Sequence, residues 1–76
     1  MRATAKVNDL AALGRVVRER RQALGVSQTE AAGLIGVERA VIGRLERGRN
    51  VHLSIALALV QVLGMDVEIR PRGGAR

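Results

Sequence analysis

The apolar positions divide the chain into four segments of helical period and one of strand period. Leu10, Leu13, Val16, Val17 and Leu24 predict a first helix over about Leu10–Leu24, with Asp9 as its N-cap and Gly25 just past its end. Arg15, Arg18, Arg20 and Arg21 lie mostly off that stripe. Ser27 and Glu30 then have the spacing of a capping box, in which a hydroxyl and a carboxylate each satisfy a backbone N–H left free at a helix start. They open a second helix, about Gln28–Ile35, with Ala31, Leu34 and Ile35 inward, which Gly36 stops after barely two turns. Val37 and Glu38 turn into "RAVIGRLERG", where Val41, Ile42 and Leu45 mark the buried side of a third helix closed by Gly48. Gly43 stands in the middle of that helix, among Arg39, Arg44 and Arg47. A helix-interior glycine costs roughly 0.5–1 kcal/mol relative to alanine, so its presence needs a reason.

After the linker "RNV", a fourth helix runs from about Leu53 to Leu63, with His52 near its N-cap. Leu53, Ala56, Leu57, Val60 and Leu63 form one apolar stripe; Ile55, Leu59 and Val62 form a second. A helix that is apolar nearly all round has to bury a second side. This chain is too short to wrap it, which points to a partner chain. Beyond Gly64 the period becomes two, with Met65, Val67 and Ile69 alternating with Asp66, Glu68 and Arg70, as in a strand. A lone strand finds no partner in an otherwise helical chain.

The expected fold is therefore all-α. It is a compact four-helix helix-turn-helix domain followed by one C-terminal β-strand that pairs across a homodimer. Leu59, Val62, Met65, Val67 and Ile69 are expected in the dimer interface. Residues 1–8, "MRATAKVN", read as a flexible basic arm, residues 9–64 as the helical domain, 65–70 as the dimerisation strand, and 71–76, beginning at Pro71, as a flexible tail.

Composition narrows the function. At 76 residues the chain makes one small domain, a size at which oligomerisation commonly adds stability. It has no cysteine, which excludes disulfides and Cys-based zinc sites, and no aromatic residue, which excludes the stacking platforms of single-strand and RNA binders. The net charge of +6 is carried almost wholly by arginine and calls for an anionic partner, nucleic acid or membrane surface. No apolar run is long enough to span a membrane and Met1–Asn8 lacks the core of a signal peptide, so a cytoplasmic location is expected by default. His52, the single histidine, has no companion at ligand spacing, and the serines have no base nearby in sequence. No metal, cofactor or enzymatic activity is expected.

Two helices joined by a glycine-containing turn, the first capped and the second flanked by arginines, describe a helix-turn-helix. "SQTEAAGLIGVERAVIGRLERG" resembles the lambda-repressor-like (Xre/Cro type) helix-turn-helix family over about Leu13 to Leu63. The pattern Gly25-x-Ser-Gln, Ala31, Gly36-Val37, Ile42, Leu45-Glu46-x-Gly48 agrees in order and spacing. More narrowly, "NVHLSIALALVQVLGMDVEI" resembles the HipB-type antitoxin branch, in which a strand follows the last helix and pairs across the dimer. The resemblance implies a recognition helix in the major groove of double-stranded DNA, with Arg39 and Ala40 facing base edges at its N-terminal end and Arg44 one turn further along. It implies that Glu46 pairs with Arg21 as a structural ion pair. It also implies an inverted-repeat operator, a repressor acting on its own operon, and a HipA-like kinase toxin as a second partner.

Physical chemistry supports the same surface. Arg39 and Arg44 lie off the Ile42–Leu45 stripe, and arginine bidentate to guanine is the commonest specific contact. Ser27 and Gln28, at the N-terminus of the second helix, suit a DNA phosphate, as do Arg49 and Asn50 beyond the third. Gly43 lets the backbone approach the sugar-phosphate closely. Arg47 reads equally as a solvated charge. Glu38 departs from the family, where Ser or Thr usually caps the recognition helix, and it sets a carboxylate near DNA. A competing reading is a protein-interaction adaptor that recruits or inhibits a partner enzyme, with DNA binding incidental. Non-specific RNA binding by charge is a third.

Overall fold

The computed structural model describes residues 4–73. It contains α1 (Leu10–Ala23), α2 (Gln28–Ile35), α3 (Arg39–Glu46) and α4 (Leu53–Val62). Each start has a local cause where the sequence supplies one. The Asp9 carboxylate accepts from the Ala12 N–H at 2.8 Å. At α2 both halves of the capping box form: the Ser27 N–H donates to Glu30 Oε1 at 2.8 Å and the Glu30 N–H to Ser27 Oγ at 2.9 Å. The bond from the Ser27 N–H, then that from its hydroxyl, holds the Glu30 carboxyl below the usual glutamate range. The N-caps of α3 and α4, Glu38 and His52, make no side-chain capping bond. Gly25, Gly36, Gly48 and Gly64 stand at or just past the four helix ends with φ of 72°, 75°, 78° and 77°, a left-handed conformation that glycine adopts without strain.

One core joins the four helices: Val17, Ala31, Ala32, Ile42, Leu45, Ala56, Leu59, Val60 and Leu63. α2 packs against both α3 and α4, and its two alanines face in because larger side chains would hold the three helices apart. Leu34 is accordingly 60% exposed rather than inward. Leu10 and Leu24 are also exposed, standing at the ends of α1 beyond the reach of the core. α1 meets α3 through Gly14, where an added Cβ would lie 2.5 Å from the Leu45 carbonyl oxygen and 2.7 Å from that of Glu46. That close approach fixes the distance of the third helix from the first.

α4 corrects one expectation about the dimer interface. Leu59 is 0% exposed and belongs to the core of its own chain, so it offers nothing to a second one. The cause is register: Ala56, Leu59, Val60 and Leu63 make a single i, i+3, i+4, i+7 stripe, which takes one member from the second sequence stripe. Leu53, Leu57 and Val62 are left exposed, and the helix "LSIALALVQV" carries no charged residue.

The segment after Gly64 leaves α4 under a clamp: Arg20 Nε donates to the Leu63 carbonyl at 2.8 Å. Among the described residues no strand is present, and 65–70 have no ladder partner within the chain. Met65 packs against the core, Val67 is exposed, and Ile69 is 92% exposed. Ala5, Lys6, Val7 and Asn8 face residues 68–73 across a surface cleft. Residues 1–3 of the expected arm and 74–76 of the expected tail lie outside the described residues.

Candidate nucleic-acid interface

The outer side of α3 follows from its period. With Ile42 and Leu45 buried, positions 39, 40, 43, 44 and 47 fall on the opposite side. Arg39, Ala40, Arg44 and Arg47 are exposed there. Gly43, expected to let a phosphate approach the backbone, is buried, and the Arg47 guanidinium occupies the space beside it, Nη1 at 3.1 Å from where a Cβ would stand. A phosphate reaches that backbone only if Arg47 moves aside.

Behind this face runs a chain of polar contacts across three helices. Arg21 of α1 is gripped by Glu46 of α3 in a bidentate ion pair, Nε to Oε2 at 2.6 Å and Nη2 to Oε1 at 2.9 Å, and its Nη1 donates to the Val26 carbonyl at 2.8 Å. Their side chains are 10% and 3% exposed. Burial alone would push the Glu46 carboxyl up. The hydrogen bonds from Arg21 and Gln28, together with the charges of Arg21 and Arg18, outweigh it and hold the group below the usual glutamate range. The bond to Glu46 raises Arg21 in turn.

Gln28, the first residue of α2, extends the chain to the surface. Its Nε2 donates to Glu46 Oε1 at 3.1 Å, and its Oε1 accepts from Arg39 Nη1 at 3.0 Å. One end of the amide is thus fixed by the buried carboxylate and the other orients the exposed arginine. An amide has two N–H donors, so Gln28 keeps one beyond these bonds for an outside acceptor. Among the described residues, no buried side-chain nitrogen or oxygen lacks a partner.

The structure therefore gathers Arg21, Glu46, Ser27, Gln28 and Arg39 around the α2 N-terminus, with Ala40 and Arg44 on the adjoining face of α3. Arg49 and Asn50 stand apart, exposed on the linker to α4, where Asn50 lines a shallow cleft with Val41, Arg44, Val51, His52 and Ile55. Three contributors are not marked by sequence pattern: Gly14, Arg20 and the position of Arg47 over Gly43. Each depends on a contact between elements, except Arg47, whose spacing of four from Gly43 was the available signal.

The geometry is that of a helix-turn-helix module, and comparison with known proteins agrees. The profile of the helix-turn-helix domain family matches residues 12–72, and the chain belongs to that family. No match is found among curated proteins. Among solved structures, the chain is similar to a HipB variant in an O2 20mer complex at TM-score 0.84 and 24% identity, covering 93% of this chain and 100% of that one. It is similar to HipB in an O4 20mer complex at TM-score 0.82 and to a chain of a HipA–HipB–O2–O3 complex at 0.83, each at 24% identity over 92% of this chain and 100% of the other. These likenesses establish the fold. No helix among the described residues is long and apolar enough to cross a membrane.

Proposed function

We propose that the protein is a non-enzymatic, sequence-specific DNA-binding regulator that acts as a homodimer on an inverted-repeat operator. The observation that carries this reading is the Arg21–Glu46–Gln28–Arg39 chain, which holds an exposed arginine at the N-terminal end of α3. A guanidinium held in one orientation can select a guanine edge, whereas a freely moving one contributes charge alone. Arg39 and Arg44 read bases, with Ala40 beside them against the groove. Ser27, Gln28, Arg49 and Asn50 hold phosphates and set the register. Residues 9–64 bind DNA and 65–70 pair antiparallel with the same segment of a second copy, joined by Val62, Met65, Val67 and Ile69. The arm and tail, 1–8 and 71–76, flank these two units.

More finely, we propose the antitoxin of a HipAB-like toxin–antitoxin unit, repressing its own operon and binding a HipA-like kinase toxin. The fold shared with HipB in complexes that include HipA supports it. The test is selection of bound duplexes from a random pool. A two-fold-symmetric consensus is expected, whereas binding without sequence preference would leave the adaptor reading in its place.

A further inference from the structure

We infer that Arg47 is an additional base-reading residue, seated on the recognition face by Gly43; this rests on the DNA-binding function proposed above. Gly43 lies in the middle of the outer side of α3, between Arg39 and Ala40 on one side and Arg44 and Arg47 on the other, yet it is buried. Arg47 covers it. Apart from its chain neighbours and the helix backbone, the three heavy atoms nearest to where a Gly43 Cβ would stand are Arg47 Nη1 at 3.1 Å, Cζ at 3.9 Å and Nη2 at 4.0 Å. Side chains on a helix lean toward its N-terminus, so a residue covers the surface one turn before its own position. Arg47 is the C-cap of α3, and its side chain runs back along the outer face instead of leaving past the helix end.

Two small residues, Ala40 and Gly43, leave a low floor between the arginines of this face. The guanidinium of Arg47 rests over Gly43. Among the described residues none of the side-chain hydrogen bonds uses it, so its donor fork is open to an outside acceptor. An arginine at the rim of a recognition helix meets phosphates, but one drawn to the centre of the face stands over the groove floor, where base edges present paired acceptors. The helix-weakening glycine thus makes room for a third reading group.

The test measures affinity for the operator selected by the parent chain and for a random duplex, with a thermal melt of every variant. Arg47→Ala is expected to lower operator affinity roughly 10- to 100-fold and random-duplex affinity much less. Arg47→Lys keeps the charge but not the fork, and is expected to recover random-duplex affinity without operator preference. Gly43→Ala sets a methyl group where the guanidinium rests. It is expected to raise the melting temperature, because alanine favours the helix, while reducing operator preference with Arg47 still in place. Equal loss on both duplexes for Arg47→Ala, repaired by Arg47→Lys, would make Arg47 a phosphate contact and overturn the inference. Undiminished operator preference in Gly43→Ala would overturn it as well. A parent chain that selects no sequence removes the DNA-binding reading itself, and this inference with it.

Discussion

The two ends of the helical domain solve opposite problems. Around α2 and α3, Arg21, Glu46, Gln28 and Arg39 are linked in sequence by hydrogen bonds within one chain. Around α4 and the segment after it, apolar surface is left over, with Leu53, Leu57, Val62, Val67 and Ile69 exposed. A closed polar chain rigidifies a surface and makes it selective, while an open apolar surface recruits mass. The uncharged α4 suits a second copy of this +6 chain in particular, since two identical faces meet about a two-fold axis without like-charge repulsion.

Truncation after Gly64 attacks the apolar end and carries the largest expected effect. If 65–70 join two chains, the truncated protein sediments as a monomer or aggregates. Losing the second half-site then lowers operator affinity by at least about 100-fold, the scale of a linked two-site gain. A truncated chain that still dimerises and binds its palindrome normally would remove the apolar side of the comparison.

Glu46→Gln attacks the polar end. It leaves the buried Arg21 charge without a counter-ion, a change that costs on the order of 3 kcal/mol. In a domain this small, each 1 kcal/mol shifts the melting temperature by about 4–8 °C. The same pair sets a pH dependence. Folding lowers the Glu46 pKa, so its stabilisation is complete above the ordinary glutamate range and is lost as pH falls through the lower folded value. Melts across that acid window should fall steeply in the parent and less steeply in Glu46→Gln. A parallel pair of curves would take the ion pair out of the account.

Arg39→Ala is expected to cost about 1–3 kcal/mol on the operator and to relax one base position, with little change on random duplex. Equal losses on both would mean that Arg39 supplies charge only. Gln28→Ala gives the smallest and most telling effect. As a phosphate contact alone it would weaken all duplexes alike, but the bond to Arg39 adds a modest loss of operator preference, read as a broader selected consensus. A double change, Gln28→Ala with Arg39→Ala, should then cost less than the sum of the two.

Much of the fold is legible in the chain because its signals are local. The capping box at Ser27 and Glu30, the four left-handed glycines and the i, i+3, i+4 apolar spacing act within one helix or turn, and the four helices fall within a residue or two of the pattern. Which apolar residues face inward was less legible. Leu34 and Leu59 exchanged the sides assigned to them because the close packing of Ala31 and Ala32 decides how α2 is rolled, and the register of α4 decides which stripe is buried. The site behaves the same way. Arginines flanking a capped turn can be read from sequence, but the bond from Gln28 to Arg39 spans eleven positions and Arg20 reaches Leu63 over forty-three. Gly14 carries no sequence signal, since its role exists only where another helix presses on it.

The two-sided use of the Gln28 amide has an evolutionary consequence. Its oxygen is committed to Arg39 and its nitrogen to Glu46, so a replacement at position 39 that cannot donate leaves that oxygen without its partner. A duplicated copy of this gene drifting toward a new operator would therefore change positions 28 and 39 as a pair. An intermediate changed only at position 28 would keep most of its hold on the old site, and one changed only at position 39 would lose it. If Arg39 reads a base as proposed, position 28 is therefore the one that can change first, and position 39 the one that commits the copy to a new site.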